Sequence, residues 1–283
     1  MTRLTDIISP EWLLHHLDDP DVIIIDCRFT LGQPEAGFKA YQQQHLPGAF
    51  HLDLEKDLSG PITDHGGRHP LPNPQKIAKT FENMGIDEQK HVIAYDDQQG
   101  AMAARLWWLL QYLGHSKVSI LDGGWSKWIE LGYPTTTIQP EAKPTTFTPH
   151  LHQELLAEME EIRQKLHHPD TILVDSRDER RYRGEYEPMD PIAGHIPGAR
   201  NYFWQEVLQK QGEWKKTSEL EKHFQALPKD KEIIVYCGSG VTATPNFLAL
   251  KQAGYKRVKL YAGSWSDWIS YPDNPIAKGE ENG

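Results

Sequence analysis

Cysteine is scarce in this chain, with two residues, Cys27 and Cys237, among 283. Thiols so far apart in sequence do not make a disulfide framework, and each has to be judged alone. Metal-site spacings are lacking as well, since the fourteen histidines form no HExxH and no CxxC accompanies them. No metal and no cofactor is expected. Basic charge is in deficit: 30 Lys and Arg stand against 40 Asp and Glu, a formal charge of −10. A nucleic-acid surface needs clustered cations to neutralise phosphates, so nucleic acid is excluded in favour of small molecules or proteins. Long apolar runs are also missing. The opening "MTRLTDIISPEWLLHHL" has neither the apolar centre of a signal peptide nor the length of a membrane span, which gives the expectation of a cytoplasmic protein with no membrane partner.

What the chain does contain is a duplication. "VIIIDCR" at 22–28 resembles "TILVDSR" at 171–177, and "HLPGAFHLD" at 45–53 resembles "HIPGARNYF" at 195–203. A third pair runs from 91 and from 232, matching Tyr95 with Tyr236 and Trp125-x-x-Trp128 with Trp265-x-x-Trp268. Order and spacing agree, so two copies of one domain are expected, over 1–132 and 151–283. The Pro- and Thr-rich stretch "YPTTTIQPEAKPTTFTPH" at 133–150 reads as an extended linker. Within the first copy, apolar runs alternate with helical patterns: strand 22–26, helix 75–83 ended by Gly85, strand 92–95, helix 101–113 ended by Gly114, strand 117–121. This is an α/β pattern. Continuous runs such as "VIIID" and "EIIVY" suit a mainly parallel sheet covered by helices on both faces. The paired tryptophans, at helical i,i+3 spacing, read as core packing.

Such sheets bind ligands beyond the carboxyl ends of their strands, and Cys237 stands at one of those ends, in "EIIVYCGSGVTATPNF". Gly238 and Gly240 allow the backbone to curl so that N–H groups point inward, and a helix beginning near Val241 adds its unpaired donors. Converging donors favour a thiolate and oppose the effect of apolar burial. Cys237 is therefore expected to be a nucleophile. Cys27, inside an apolar strand where the second copy has Ser176, is expected to be a packing residue. At the position of Cys237 the first copy has Asp96, in a loop, "DDQQG", one residue longer. That loop is expected to lack the glycine placement that would aim N–H groups at a thiolate.

The segments "CGSGVT" at 237–242, "HIPGA" at 195–199, "DSR" at 175–177 and the matching half with "HLPGA" resemble the tandem-domain rhodanese sulfurtransferases, and the loop is similar to that of 3-mercaptopyruvate sulfurtransferases. The resemblance covers nearly the whole chain. It implies two rhodanese-like domains, the first without a catalytic cysteine. It also implies a ping-pong reaction in which Cys237 takes sulfur from a small anionic donor, 3-mercaptopyruvate or thiosulfate, and passes the persulfide sulfur to a thiol such as thioredoxin, or to cyanide. By the same resemblance Ser239, His69 and Glu55 form a proton relay, with Glu55 where an Asp is more usual. Arg181 matches the donor-binding arginine, while Gly238, Gly240, Val241 and Thr242 complete the donor site. A second arginine of the mercaptopyruvate group falls at Met189. His69 also reads as a loop histidine that docks the domains, and geometry has to choose.

Other residues carry blander readings. Arg177 is expected to be tied to Asp175 rather than to substrate. His45 and His195 recur in both "HxPGA" turns, with or without a thiol, which points to structural hydrogen bonding. A cysteine phosphatase would share an anion-cradling loop, but its Cys-x5-Arg pattern requires an arginine at Ala243. A persulfide carrier without turnover remains the non-enzymatic alternative.

Overall fold

The computed structural model describes residues 5–280. Two five-stranded sheets share one topology, and every pairing in both is parallel. The first sheet holds β1 (Ile7–Ile8), β2 (Val22–Asp26), β3 (Ala49–His51), β4 (His91–Tyr95) and β5 (Val118–Leu121), in the order β1-β5-β4-β2-β3. The second repeats it with β6 (Leu156–Ala157), β7 (Thr171–Asp175), β8 (Arg200–Asn201), β9 (Glu232–Tyr236) and β10 (Val258–Tyr261), in the order β6-β10-β9-β7-β8. The helices are α1 (Pro10–Leu14), α2 (Ala36–Gln43), α3 (Pro74–Asn83), α4 (Ala101–Tyr112) and α5 (Gly124–Glu130), followed by α6 (Met159–Gln164), α7 (Glu179–Tyr182), α8 (Thr217–His223), α9 (Thr244–Gln252) and α10 (Ser264–Trp268). Among the described residues no helix is long and apolar enough to cross a membrane.

The central strands β4 and β9 are buried at every position, as sheets covered on both faces require. Their continuous apolar runs are what made them readable. Helices α4 and α9 are also buried along most of their length, which explains the tryptophans and leucines all round α4. Of the paired tryptophans, Trp128, Trp265 and Trp268 are buried core residues, and Trp125 packs partly buried on the first core.

The chain divides into two compact units. One is built from the residues up to Gly60, Pro72–His152 and Lys210–Trp214; the other from Pro61–Leu71, Gln153–Gln209 and the residues from Lys215 onward. Each unit thus contains a short segment from the sequence of the opposite repeat. The Pro- and Thr-rich stretch has no helix or strand, but its backbone is pinned to the first unit: Thr136 exchanges hydrogen bonds with His45, and Phe147 packs edge-on against Phe81.

The strand registers set two equivalent polar clusters. β2 and β4 pair Asp26 beside Tyr95, and β7 and β9 pair Asp175 beside Tyr236. In the first unit Arg28 bonds Asp26 and lies 4.2 Å over the Trp125 ring. In the second, Arg177 bonds Asp175 and lies 4.8 Å over Trp265. Burial works against the Arg177 charge, but Asp175 and Glu187 more than restore it and raise its pKa. Arg177 is thereby committed to its own fold. His45 and His195 are likewise structural, each giving its Nδ1 to a backbone carbonyl, of Tyr41 and Tyr182, at 2.7 Å.

Candidate active site

Cys237 is the first residue beyond β9, at the carboxyl edge of the second sheet. Its backbone is clamped from α10. The Cys237 N–H donates to Ser264 Oγ at 3.1 Å, while the Cys237 and Gly238 carbonyls accept from the N–H groups of Trp265 and Ser266 at 3.0 and 2.9 Å. The loop then curls through Gly240, at φ +74°. A Cβ there would overlap the Ala262 carbonyl oxygen, so both the conformation and the close approach demand glycine. Gly238 makes no such demand: its φ is not positive, and a Cβ on it would meet only the ends of two flexible side chains, 2.9 Å from Arg68 Nη2 and 3.4 Å from Arg181 Nη2.

The helix after the loop starts later than its sequence suggests, at Thr244 rather than near Val241. Thr244 gives both its N–H and its Oγ1–H to the Val241 carbonyl, a tight turn that keeps 238–243 as loop. Val241 is buried and Thr242 half-buried within it.

His69 and Ser239, 170 residues apart, meet in the second unit: His69 Nδ1 and Ser239 Oγ are 2.7 Å apart and both residues are buried. The segment carrying His69 is fixed residue by residue. His65 Nδ1 bonds Ser270 Oγ, the Gly66 N–H donates to Asp267, and the Arg68 N–H donates to Ser266 Oγ. His65 and His69 have HxxxH spacing. They face different partners, and among the described residues no group of three or more His, Cys, Asp and Glu is arranged to hold a metal.

Arg181 also belongs to this unit, but its guanidinium is not idle. Nε and Nη2 fork onto the Glu187 carboxylate at 3.1 and 2.8 Å, and Nη2 lies 3.3 Å from Asp190. Arg68 reaches the same Asp190 through Nη1. Burial raises the Asp190 pKa, opposed by Arg68 and Arg181. Sequence reasoning missed Arg68; its one signal was that it immediately precedes His69. Met189 is exposed, with its N–H on Glu187. Glu55, in contrast, is an exposed residue of the first unit whose N–H donates to Asp53.

The equivalent loop of the first unit corrects one expectation. Four N–H groups do converge there: those of Gln98 and Gly100 on Asp96 Oδ1, and those of Met102 and Ala103 on Oδ2, all at 2.8 Å. The extra residue is absorbed by two successive left-handed positions, Gln99 at φ 60° and Gly100 at φ 83°. The cradle is intact and a carboxylate fills it. Burial still raises the Asp96 pKa, against the pull of those donors. Cys27 lies fully buried nearby, where desolvation and the charges of Asp96, Asp26 and Asp57 push its thiol well above the ordinary range. Such a thiol has little nucleophilic form at neutral pH.

Comparison with known proteins agrees with this architecture. The rhodanese-like domain family matches residues 9–131 and again 158–271. The chain is 40% identical over 279 residues to a probable 3-mercaptopyruvate sulfurtransferase of Pseudomonas aeruginosa, covering 97% of this chain and 98% of the relative. It is 37% identical over 267 residues to the putative thiosulfate sulfurtransferase SseB of Mycobacterium tuberculosis, covering 92% of each. The crystal structure of the 3-mercaptopyruvate sulfotransferase SseA of Escherichia coli matches with a TM-score of 0.80 at 34% identity, over 93% of this chain and 100% of that one. With two ordered domain matches and full-length relatives, the chain belongs to the family of rhodanese-like domain proteins.

Proposed function

We propose that this protein is a sulfurtransferase that moves a sulfur atom from 3-mercaptopyruvate, through a persulfide on Cys237, to a thiol acceptor such as thioredoxin or to cyanide. The observation that carries the reading is the second-unit loop: a cysteine at the end of β9, a curl enforced by Gly240, and a 2.7 Å contact between Ser239 and His69 beside it. In the first half-reaction the Cys237 thiolate attacks the donor sulfur. The S–S bond forms as the bond from sulfur to the donor carbon breaks, and its electron pair leaves as the enolate of pyruvate, which takes a proton. Ser239 delivers that proton and His69 returns it, while Arg181 and the loop from Gly238 through Gly240 and Val241 to Thr242 hold the donor and the persulfide. In the second half-reaction the acceptor thiolate or cyanide attacks the outer sulfur, breaking the S–S bond and restoring the Cys237 thiolate.

In this reading 151–283 is the catalytic repeat, 1–132 the silent one and 133–150 the linker. Glu55 is kept as the relay's carboxylate. A cytoplasmic setting suits the reaction, because reduced thiols are available there as acceptors. Thiosulfate is the second reading, favoured by the two guanidinium groups at Gly238, which suit a dianion. The absence of any basic side chain from "CGSGVT" favours the mercaptopyruvate donor.

Intact-mass analysis after incubation with each donor, followed by transfer to cyanide or reduced thioredoxin, tests the reading. The wild type should gain one sulfur atom, Cys237→Ser none, and Cys27→Ser should load and turn over like the wild type. Sulfur found on Cys27, with activity retained in the Cys237 variant, would overturn the assignment. Loading without catalytic turnover would make the protein a carrier instead.

A further inference from the structure

We infer that Asp190 is a specificity-determining residue, a buried carboxylate that cancels positive charge at the Cys237 loop and so selects a monoanionic sulfur donor over a dianion. The inference rests on the sulfurtransferase reading above and deepens it to the charge class of the donor. Its basis is a row of ionic side chains in the second unit whose sign alternates at every contact. Arg68 pairs with Asp190, Asp190 with Arg181 at 3.3 Å, Arg181 with Glu187 at 2.8 Å, Glu187 with Arg177 at 3.3 Å, and Arg177 with Asp175 at 2.6 Å. Three guanidinium groups meet three carboxylates, so the row as a whole carries no net charge. One end reaches the site, since Arg68 and Arg181 are the groups that a Cβ on Gly238 would meet, next to Cys237. The other end is Asp175, the last residue of β7.

The two kinds of group differ in exposure. The side chains of Asp190 and Glu187 are 2% exposed, those of Arg181 and Arg68 15% and 27%. A donor at the loop meets guanidinium edges that offer hydrogen bonds at contact range, while the buried carboxylates cancel the charge felt beyond it. Asp190 is the member that touches both loop arginines, and it is held in place, because its own N–H and that of Met189 donate to Glu187. Charge then separates the donors. The Cys237 thiolate and mercaptopyruvate bring one negative charge each to the loop, the donor's on its carboxylate. Thiosulfate brings a second charge of its own, which the departing sulfite keeps. A row of zero net charge does little to offset the extra repulsion between that dianion and the thiolate.

The test reads kcat/KM for thiosulfate and for 3-mercaptopyruvate, with cyanide as acceptor, in wild type, Asp190→Asn and Glu187→Gln. Both substitutions keep the shape of the side chain and leave the row with one positive charge in excess. The ratio of thiosulfate to mercaptopyruvate should rise about tenfold in each variant, and the rise should shrink as salt is added. Both donors are measured on one preparation, so a misfolded fraction lowers both values and leaves their ratio unchanged, which separates the charge effect from a structural one. A ratio within twofold of wild type in Asp190→Asn, or in Glu187→Gln if the first variant does not fold, would overturn the role of Asp190, with the wild type still loading sulfur on Cys237. So would a wild type that already uses thiosulfate better than mercaptopyruvate. A wild type that loads sulfur from neither donor would instead overturn the functional reading on which the role rests.

Discussion

The contact between His69 and Ser239 is the part of the site where a single atom decides the chemistry. A histidine that only docked a loop would need no hydroxyl at 2.7 Å; this one has the Ser239 Oγ there, with both residues buried. If the pair moves the proton that quenches the enolate, Ser239→Ala and His69→Gln should each lower kcat about a hundredfold, near the bottom of the usual range for acid–base assistance, and leave the donor KM nearly unchanged. Equal losses in KM, with kcat preserved, would make the pair a binding contact. Ser239 and His69 were legible because short motifs carry them. Arg68 was not, since nothing local to "HGGRHPLP" says where a loop residue's side chain will end up. That depended on anchors near the far end of the chain, Ser266 and Asp267.

At the scale of elements, the two strand-end loops are one device in two states. In the second unit the loop opens with a thiol; in the first, the same place holds a carboxylate that accepts four backbone N–H groups. The alternation of apolar runs and helical patterns made strands and helices readable, because burial on both faces is written into composition. Loop geometry was not readable in the same way. "DDQQG" shows one glycine, and the left-handed Gln99 that completes its curl has no sequence signal. Asp96→Asn should destabilise the first unit by about 1–3 kcal/mol, since an amide NH2 would face donors that now meet an oxygen. Urea unfolding measures it, and an unchanged midpoint would show that the donors find other acceptors. Gly240→Ala should be worse for function than for the fold as a whole. The added methyl overlaps the Ala262 carbonyl, so the loop must open and sulfur loading at Cys237 should be lost.

For the molecule as a whole, the duplication leaves each unit with its own buried groups, and one of them gives the fold a defined acid sensitivity. His91, the first residue of β4, is buried in the first unit, where desolvation, with His115, His16 and Lys117 adding like charge, lowers its pKa to about 4. The Ser119 hydroxyl donates to the Thr5 carbonyl, so it accepts from the His91 Nε2–H at 2.8 Å and fixes the neutral tautomer. An unfolded histidine titrates near 6.5. Between those two values the unfolded chain binds a proton that the folded chain refuses, and stability falls as pH falls from about 6.5 to about 4. Above neutrality His91 contributes nothing to the slope. His223, also lowered to about 4 by burial, acts in the same direction in the second unit. The raised carboxyls of Asp57, Asp96 and Asp190 act oppositely, giving up stability as pH rises through their folded values. They are shared by wild type and variant, so they cancel in a difference. His91→Gln keeps a donor for Ser119 and removes the titration. Its loss of unfolding free energy between pH 7.5 and pH 4.5 should be smaller than that of the wild type by about 2–3 kcal/mol. Parallel pH profiles for the two proteins would mean that His91 takes up its proton within the fold as readily as in water, and that its burial carries no such cost.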